Sequence, residues 1–216
     1  MVIYLAGIDE AGRGAVLGPL VICCAWISRE KKTILKDLGV RDSKELSPLA
    51  REEIFEDLIR ELNGIRLIAV EPREINSLMN AGLNLNSIEL LKFHEILKDV
   101  PAKIIYIDCF TRDIRKFKES FRKYKKRIIA LNRADKRIPI VGAASIIAKV
   151  TRDRIIRFLH KKYGDFGSGY PSDERTISFL KENKEILEDK TLVRREWITI
   201  KRIEELSKIK SLLDFL

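Results

Sequence analysis

Histidine and cysteine are scarce in this chain, two and three among 216 residues. Cys23, Cys24 and Cys109 sit inside apolar runs, odd in number and without a C-x-x-C spacing, which argues against a disulfide framework and against a zinc site. They read as buried, reduced thiols. His94 and His160 have no Ser or Cys partner at a telling spacing and read as structural. Long apolar runs are missing as well: Val16 to Ile27 and Val141 to Ala148 fall far short of the roughly 20 residues a membrane-spanning helix needs. The opening Met1-Val2-Ile3-Tyr4-Leu5-Ala6 has no basic leader, so no cleaved signal is expected and the protein is expected in the cytoplasm. Repeats, low-complexity tracts and Pro/Gly/Ser-rich linkers are absent, so the expectation is one monomeric domain over residues 1–216, with a helical subdomain from about residue 171. The turn Gly12 to Gly18 matches neither the G-x-x-x-x-G-K-[ST] loop nor G-x-G-x-x-G, which disfavours nucleotide hydrolysis.

What the chain does have is enough apolar residue, 45%, for one sizeable core, and a formal charge of +10. Excess Lys and Arg suit a polyanionic partner, because neutralising phosphates releases condensed counterions. The same charge-rich composition also fits a surface selected for stability at high temperature.

Val2 to Ile8 reads as a core strand that delivers Asp9 and Glu10 to its end, with Leu20 to Ile27 as its hairpin partner. Gly12-Arg13-Gly14 between them forms a tight turn open to close approach of a ligand. Ser47 and Pro48 read as the N-cap and first residue of a helix that Gly64 stops. Strands follow at Ile65 to Val70, Ala102 to Asp108 and Arg127 to Leu131. Helices are expected around Asn84 to Lys98, over the basic segment Arg112 to Lys126, and from about Ala143 to Tyr163. Three antiparallel strands followed by alternating strands and helices predict a mixed α/β sheet covered by helices, with ligand sites at strand ends.

Asp9 and Asp108 each end an otherwise apolar strand, an unusual place for an ordinary surface charge. Glu10 follows Asp9, and Asp135 lies in a loop ahead of the long helix. Carboxylates gathered from separate segments without a Cys or His cluster form the oxygen-rich set that Mg²⁺ or Mn²⁺ prefers, and a pair of such ions can activate water against a phosphodiester. Asp153 and Asp173 rival Asp135 as fourth ligand; Asp153 also reads as a helix residue among arginines, and Asp173 as a helix N-terminal charge. Spacing does not decide between them.

An ordered set of segments spans nearly the whole chain: Gly7-Ile8-Asp9-Glu10-Ala11-Gly12-Arg13-Gly14, Gly18-Pro19, Asp42-Ser43-Lys44, the strand ending at Asp108, Ala143 to Asp153, and Gly167-Ser168-Gly169-Tyr170-Pro171-Ser172-Asp173. Together they resemble ribonuclease HII, in its archaeal form. The resemblance implies a ribonuclease H-like mixed sheet flanked by helices, with a C-terminal helical region. It implies a metal-dependent endonuclease that cuts RNA–DNA hybrids and the 5′ side of a ribonucleotide embedded in duplex DNA, with Asp9, Glu10, Asp108 and Asp135 as ligands of Mg²⁺ or Mn²⁺. That choice selects Asp135 over Asp153.

The resemblance also implies that Gly12, Arg13 and Gly14 contact the ribonucleotide, where backbone groups and an Arg can read a 2′-hydroxyl. It places Tyr170 against the following nucleotide, whereas the residue by itself reads first as a core or helix-capping aromatic. Ser43, Lys44 and Lys149 are candidates for phosphate contacts or solvated surface groups. Ala15 stands where the family often has proline. The tail Ile209 to Leu216 resembles the peptide by which replication enzymes hold the sliding clamp, with Leu212, Phe215 and Leu216 as apolar anchors and Ile209 in place of the usual glutamine. An amphipathic terminal helix packed on its own protein is the alternative. The basic run from Arg115 through Lys116, Lys118, Arg122, Lys123, Lys125 and Lys126 to Arg127 is either a duplex-tracking surface or a solvated face.

Overall fold

The apolar runs of the sequence become five strands, and the segments between them become helices. The computed structural model describes residues 2–40, 46–111 and 113–213, with side chains in the last helix as far as residue 206. In chain order the elements are β1 (Tyr4–Ala11), β2 (Leu20–Ser28), α1 (Ile34–Asp37), α2 (Pro48–Glu61), β3 (Gly64–Val70), α3 (Pro72–Asn80) and α4 (Leu85–Leu97). They continue with β4 (Ile104–Asp108), α5 (Ile114–Ser120), β5 (Arg127–Leu131), α6 (Pro139–Tyr163), α7 (Glu174–Glu182) and α8 (Ile198–Leu213). The strands lie in the order β3-β2-β1-β4-β5. β1 and β2 form the expected antiparallel hairpin, Tyr4 opposite Ser28 through to Ala11 opposite Val21. β4 runs parallel to β1, and β5 parallel to β4. Parallel neighbours need crossover connections, and the intervening helices supply them. The result is the mixed sheet expected from the pattern.

Two compact units divide the chain, one from Met1–Ala11, Val21–Ile68 and Glu89–Thr151, the other from Gly12–Leu20, Ala69–Ile88 and Arg152–Leu216. In the first, Ile8, Ile22, Ile105 and Ile107 from the strands and Val141, Ala144 and Ile147 from α6 are fully buried. Gly7 is where strand and helix meet: a Cβ placed there would stand 2.3 Å from the Ile140 carbonyl oxygen, so only glycine admits this close approach. In the second unit, Leu17, Ile156, Phe166, Leu180, Leu192 and Val193 share a separate apolar cluster. That cluster draws on the loop between β1 and β2 as well as on the C-terminal helices. No helix among the described residues is long and apolar enough to cross a membrane.

Ser47 caps α2, its hydroxyl accepting from the Ala50 N–H at 3.1 Å, as the sequence indicates. The basic segment departs from expectation. Instead of one helix over Arg112 to Lys126, α5 stops at Ser120, a single 3₁₀ turn covers Arg122–Tyr124, and Lys125 adopts a left-handed conformation. The chain has to turn back so that Arg127 can pair with Ile104 on β4, and a left-handed residue ends the helical path within one position. Lys126 then reaches the carbonyl oxygens of Val100 and Ala102, and Arg122 pairs with Glu119, so part of the basic run is engaged within the protein.

Candidate active site

Parallel pairing of β1 with β4 brings the first two carboxylates together. Ile8 is the register partner of Ile107. One residue further, Asp9 and Asp108 are therefore neighbours on the same face of the sheet. Glu10 points to the opposite face by the same alternation, and it stands outside the closest group.

The third carboxylate arrives by a turn that the second one holds. Asp108 ends β4 and accepts the Ala134 N–H at Oδ1, at 3.1 Å. That bond anchors the short 3₁₀ turn Ala134–Lys136, which carries Asp135. Arg133, at the entrance, is left-handed with φ 56°, a conformation that non-glycine residues adopt rarely. Asn132 donates from its amide to the Cys109 and Thr111 carbonyls, tying the turn to the segment after β4. As a result, Asp9, Asp108 and Asp135 each offer a carboxylate oxygen within 4.8 Å of the others. Asp9 is 5% exposed and Asp135 2%.

Such crowding has an electrostatic signature. Burial pushes the Asp9 carboxyl up to about 7, the Ser145 hydroxyl and the Glu10 N–H hold it down in part, and the charges of Asp108 and Asp135 raise it further. Ser145 is fully buried on α6 and serves as the hydrogen-bond donor to Asp9. The sequence reading missed it; its one signal is a lone hydroxyl inside the apolar run Val141 to Ala148. The Cys109 thiol is raised by burial and by the charges of Asp108 and Glu10, which places Glu10 within electrostatic reach of the same strand end. Cys23 is raised by burial too, so the nearby thiols stay protonated and the donor set is oxygen alone. Carboxylate oxygens at this spacing, mutually repelling and largely removed from water, fit a hard divalent cation of the Mg²⁺ or Mn²⁺ type.

Gly12, Arg13, Gly14 and Tyr170, expected to read the substrate, lie in the second unit, and Lys149 in the first. The Gly12 N–H donates to the Tyr170 hydroxyl at 2.9 Å, joining two positions 158 residues apart. The Tyr170 ring in turn lies under the Arg152 guanidinium, 4.7 Å from its centroid. Both the hydroxyl and the ring of Tyr170 are thus engaged within this unit. Gly12 has φ 83°, and a Cβ there would fall 2.3 Å from Arg152 Nε, so the position needs glycine twice over. Arg13 donates to Asn86 Oδ1 at 2.5 Å, and Gly14 is exposed. Asp173 caps α7 and accepts the Ser168 N–H at 2.7 Å; that backbone bond leads the causes that lower its carboxyl to about 2. Its part is to hold the loop that carries Tyr170.

Lys149 is half-buried on α6, one turn beyond Ser145. Ser43 and Lys44 lie outside the described residues, as do Phe215 and Leu216; Leu212 falls in α8, where its side chain is not described. His94 meets the Tyr124 hydroxyl at 3.1 Å, and His160 meets the Gly167 carbonyl at 2.9 Å, both in structural settings.

Residues 6–200 match the family model described as ribonuclease HII. The chain is 42% identical to the ribonuclease HII of Methanocaldococcus jannaschii, over 97% of its own length and 98% of that protein. It is similar in structure to ribonuclease H2 from Pyrococcus horikoshii OT3, with a TM-score of 0.86, 44% identity, and coverage of 94% of this chain and 98% of that one. It is also similar to ribonuclease HII from Archaeoglobus fulgidus, solved in complex with PCNA, with a TM-score of 0.85, 38% identity, and coverage of 92% and 96%.

Proposed function

The chain belongs to the ribonuclease HII family and is thereby a hydrolytic endoribonuclease acting on RNA–DNA hybrids, and from that premise we propose that it also cuts duplex DNA on the 5′ side of a single embedded ribonucleotide. The products are a 3′-hydroxyl and a 5′-phosphate, and the cellular setting is removal of misincorporated ribonucleotides and primers. The observation that carries the reading is the convergence of Asp9, Asp108 and Asp135 within 4.8 Å.

Asp9, Glu10, Asp108 and Asp135 are the residues assigned to hold Mg²⁺ or Mn²⁺. Bound there, a divalent cation supplies charge stabilisation and an activated water for phosphodiester hydrolysis. The protein's own part is orientation. Ser145 fixes the Asp9 carboxylate, and Asp108 fixes the backbone turn that presents Asp135. Burial excludes bulk water from two of the three carboxylates, which strengthens their field. Gly12, Arg13 and Gly14 read the 2′-hydroxyl, while Tyr170 lies against the neighbouring deoxyribose, where a further hydroxyl would fit badly. Lys149, Ser43 and Lys44 are assigned to phosphates. The test is a DNA duplex with one ribonucleotide, incubated with the protein and Mg²⁺ or Mn²⁺ beside an all-DNA control. A single cut 5′ to the ribose, lost in EDTA, is expected; cutting of the all-DNA duplex overturns the reading.

Tyr170→Ala is expected to lower kcat/KM on the single-ribonucleotide duplex about 10- to 100-fold more than on a long hybrid, because it removes both the ring and the partner of the Gly12 N–H. Tyr170→Phe keeps the ring and should fall between. Equal losses on both substrates would remove Tyr170 from the selecting role.

Residues 209–216 are assigned to a sliding clamp, a reading supported by the Archaeoglobus fulgidus relative solved with PCNA. Leu212, Phe215 and Leu216 are the anchors. Deleting 209–216 should leave cleavage rates as they are and abolish co-migration with the clamp in gel filtration. Unchanged co-migration would assign the contact elsewhere.

A further inference from the structure

Arg194 is 0% exposed, and a guanidinium taken fully out of water is costly unless its donors are used. Its Nε donates to the Gly18 carbonyl at 2.9 Å and its Nη1 to the Arg13 carbonyl at 3.1 Å. The first of these oxygens lies four residues beyond the turn assigned to ribonucleotide reading, and the second lies inside it. The backbone around Arg194 grips the same stretch: the Arg194 N–H donates to the Val16 carbonyl at 2.9 Å, and the Gly18 N–H to the Leu192 carbonyl at 2.9 Å. Asn76 steadies this strip from α3, donating to the Val193 carbonyl at 2.8 Å and accepting the Arg195 N–H at 2.9 Å. The guanidinium rests over Trp197, 5.1 Å from the ring centroid.

We propose that Arg194 is a positioning residue for ribose recognition, which sets the peptide plane between Arg13 and Gly14 so that the Gly14 N–H faces the substrate's 2′-hydroxyl. The proposal rests on the assignment of the Gly12–Gly14 turn given above. A trans peptide holds its C=O and the following N–H in opposite directions. Drawing the Arg13 carbonyl inward to a buried guanidinium therefore turns the Gly14 N–H outward. The position suits that use, since Gly14 is exposed and a Cβ built there meets nothing within 4 Å. The planar guanidinium presents Nε and Nη1 at a fixed separation, so it fixes the Arg13 carbonyl relative to the Gly18 carbonyl downstream, which a lysine ammonium does not. Arg152 makes a comparable contribution at Tyr170, with Nη2 donating to the Leu17 and Ser168 carbonyls at 3.3 and 3.1 Å. The Arg13 carbonyl, by contrast, belongs to Arg194.

The test uses Arg194→Met and Arg194→Lys. Equilibrium binding is measured under Ca²⁺, without turnover, to a duplex with one ribonucleotide and to the same duplex as all DNA. The expected result is a preference for the ribose that falls about tenfold or more in Arg194→Met and about threefold in Arg194→Lys, with divalent-cation binding by the carboxylates as in wild type. A lower melting temperature with the preference intact identifies a purely structural residue and overturns the proposal. If Arg194→Met does not fold, Arg194→Lys, which keeps the stem, the charge over Trp197 and a donor for one carbonyl, decides by the same ratio. A wild-type protein without preference for the ribose would instead refute the assignment of the turn, and so separates the two failures.

Discussion

Asp135→Asn folds as the wild type does and cleaves a single-ribonucleotide duplex about 10²–10³-fold more slowly, the loss typical of removing a preorganised electrostatic group from an active site. The fold should survive because the turn that carries Asp135 is held by the backbone. The Ala134 N–H bonds Asp108, and the Arg137 and Ile138 N–H groups return to the Ala134 carbonyl at 3.0 and 2.8 Å. Asparagine keeps the shape and removes one negative charge from a group that has to hold a dication. Asp108→Ala provides the contrast, since it takes away a carboxylate and also the acceptor of the Ala134 N–H. It should lose activity to the same degree and additionally about 1–2 kcal/mol of stability. Single-turnover rates, Mn²⁺ calorimetry and thermal melts separate the two variants. An active Asp135→Asn enzyme with unchanged Mn²⁺ affinity would remove Asp135 from the metal site.

Asp9 and Asp108 could be read directly from the chain, because each closes an apolar run and the carboxyl ends of strands are where sites form in α/β sheets, although β1 continues past Asp9 to Ala11. Their adjacency was not legible: it depends on β1 and β4 pairing in register across almost a hundred residues of intervening chain. Asp135 was less visible still. Its placement depends on a left-handed Arg133, a 3₁₀ turn and the hold of Asp108 on Ala134, none of which has a periodic signature. Only the family resemblance singled it out.

Buried polar groups were the main omission. Ser145 looks like one hydroxyl in a helical run, and Arg152 and Arg194 look like surface cations in charge-rich segments. Each is buried with its acceptor supplied from elsewhere in the chain, Asp9 on β1 for Ser145 and loop carbonyls for the two arginines, so the relevant partners are set by topology. The basic segment failed in the opposite direction. Its composition favours helix throughout, and the need to re-enter the sheet at Arg127 overrode that preference.

Asp9→Asn should make the metal-free protein more stable at pH 8, even though it removes catalysis. In the unfolded chain an aspartate ionises near 3.8, while in the fold Asp9 retains its proton up to about 7, chiefly through burial. Between those values the folded state binds a proton that the unfolded state has released, so folding stability falls as pH rises through this window. Above about pH 7 the buried carboxylate is charged beside Asp108 and Asp135, and the penalty is at its full extent. Asparagine has no such charge, and Ser145 can still donate to its amide oxygen. The variant should therefore gain about 2–4 kcal/mol in EDTA above pH 7, a rise in melting temperature on the order of 5–15 °C for a chain of this size.

Toward pH 4 the difference should close, since wild-type Asp9 is then protonated and the penalty has vanished. Added Mg²⁺ or Mn²⁺ should raise the melting temperature of the wild type much more than that of the variant, because the cation binds the ionised carboxylates of the folded state and offsets their repulsion. Melting curves at pH 5 and pH 8, with EDTA and with Mg²⁺, test every part of this. An Asp9→Asn protein no more stable than wild type at pH 8 in EDTA would mean that the charged Asp9 carboxylate carries no penalty from burial and from its acidic neighbours in the fold. The strain expected of a site built for a dication would then be missing.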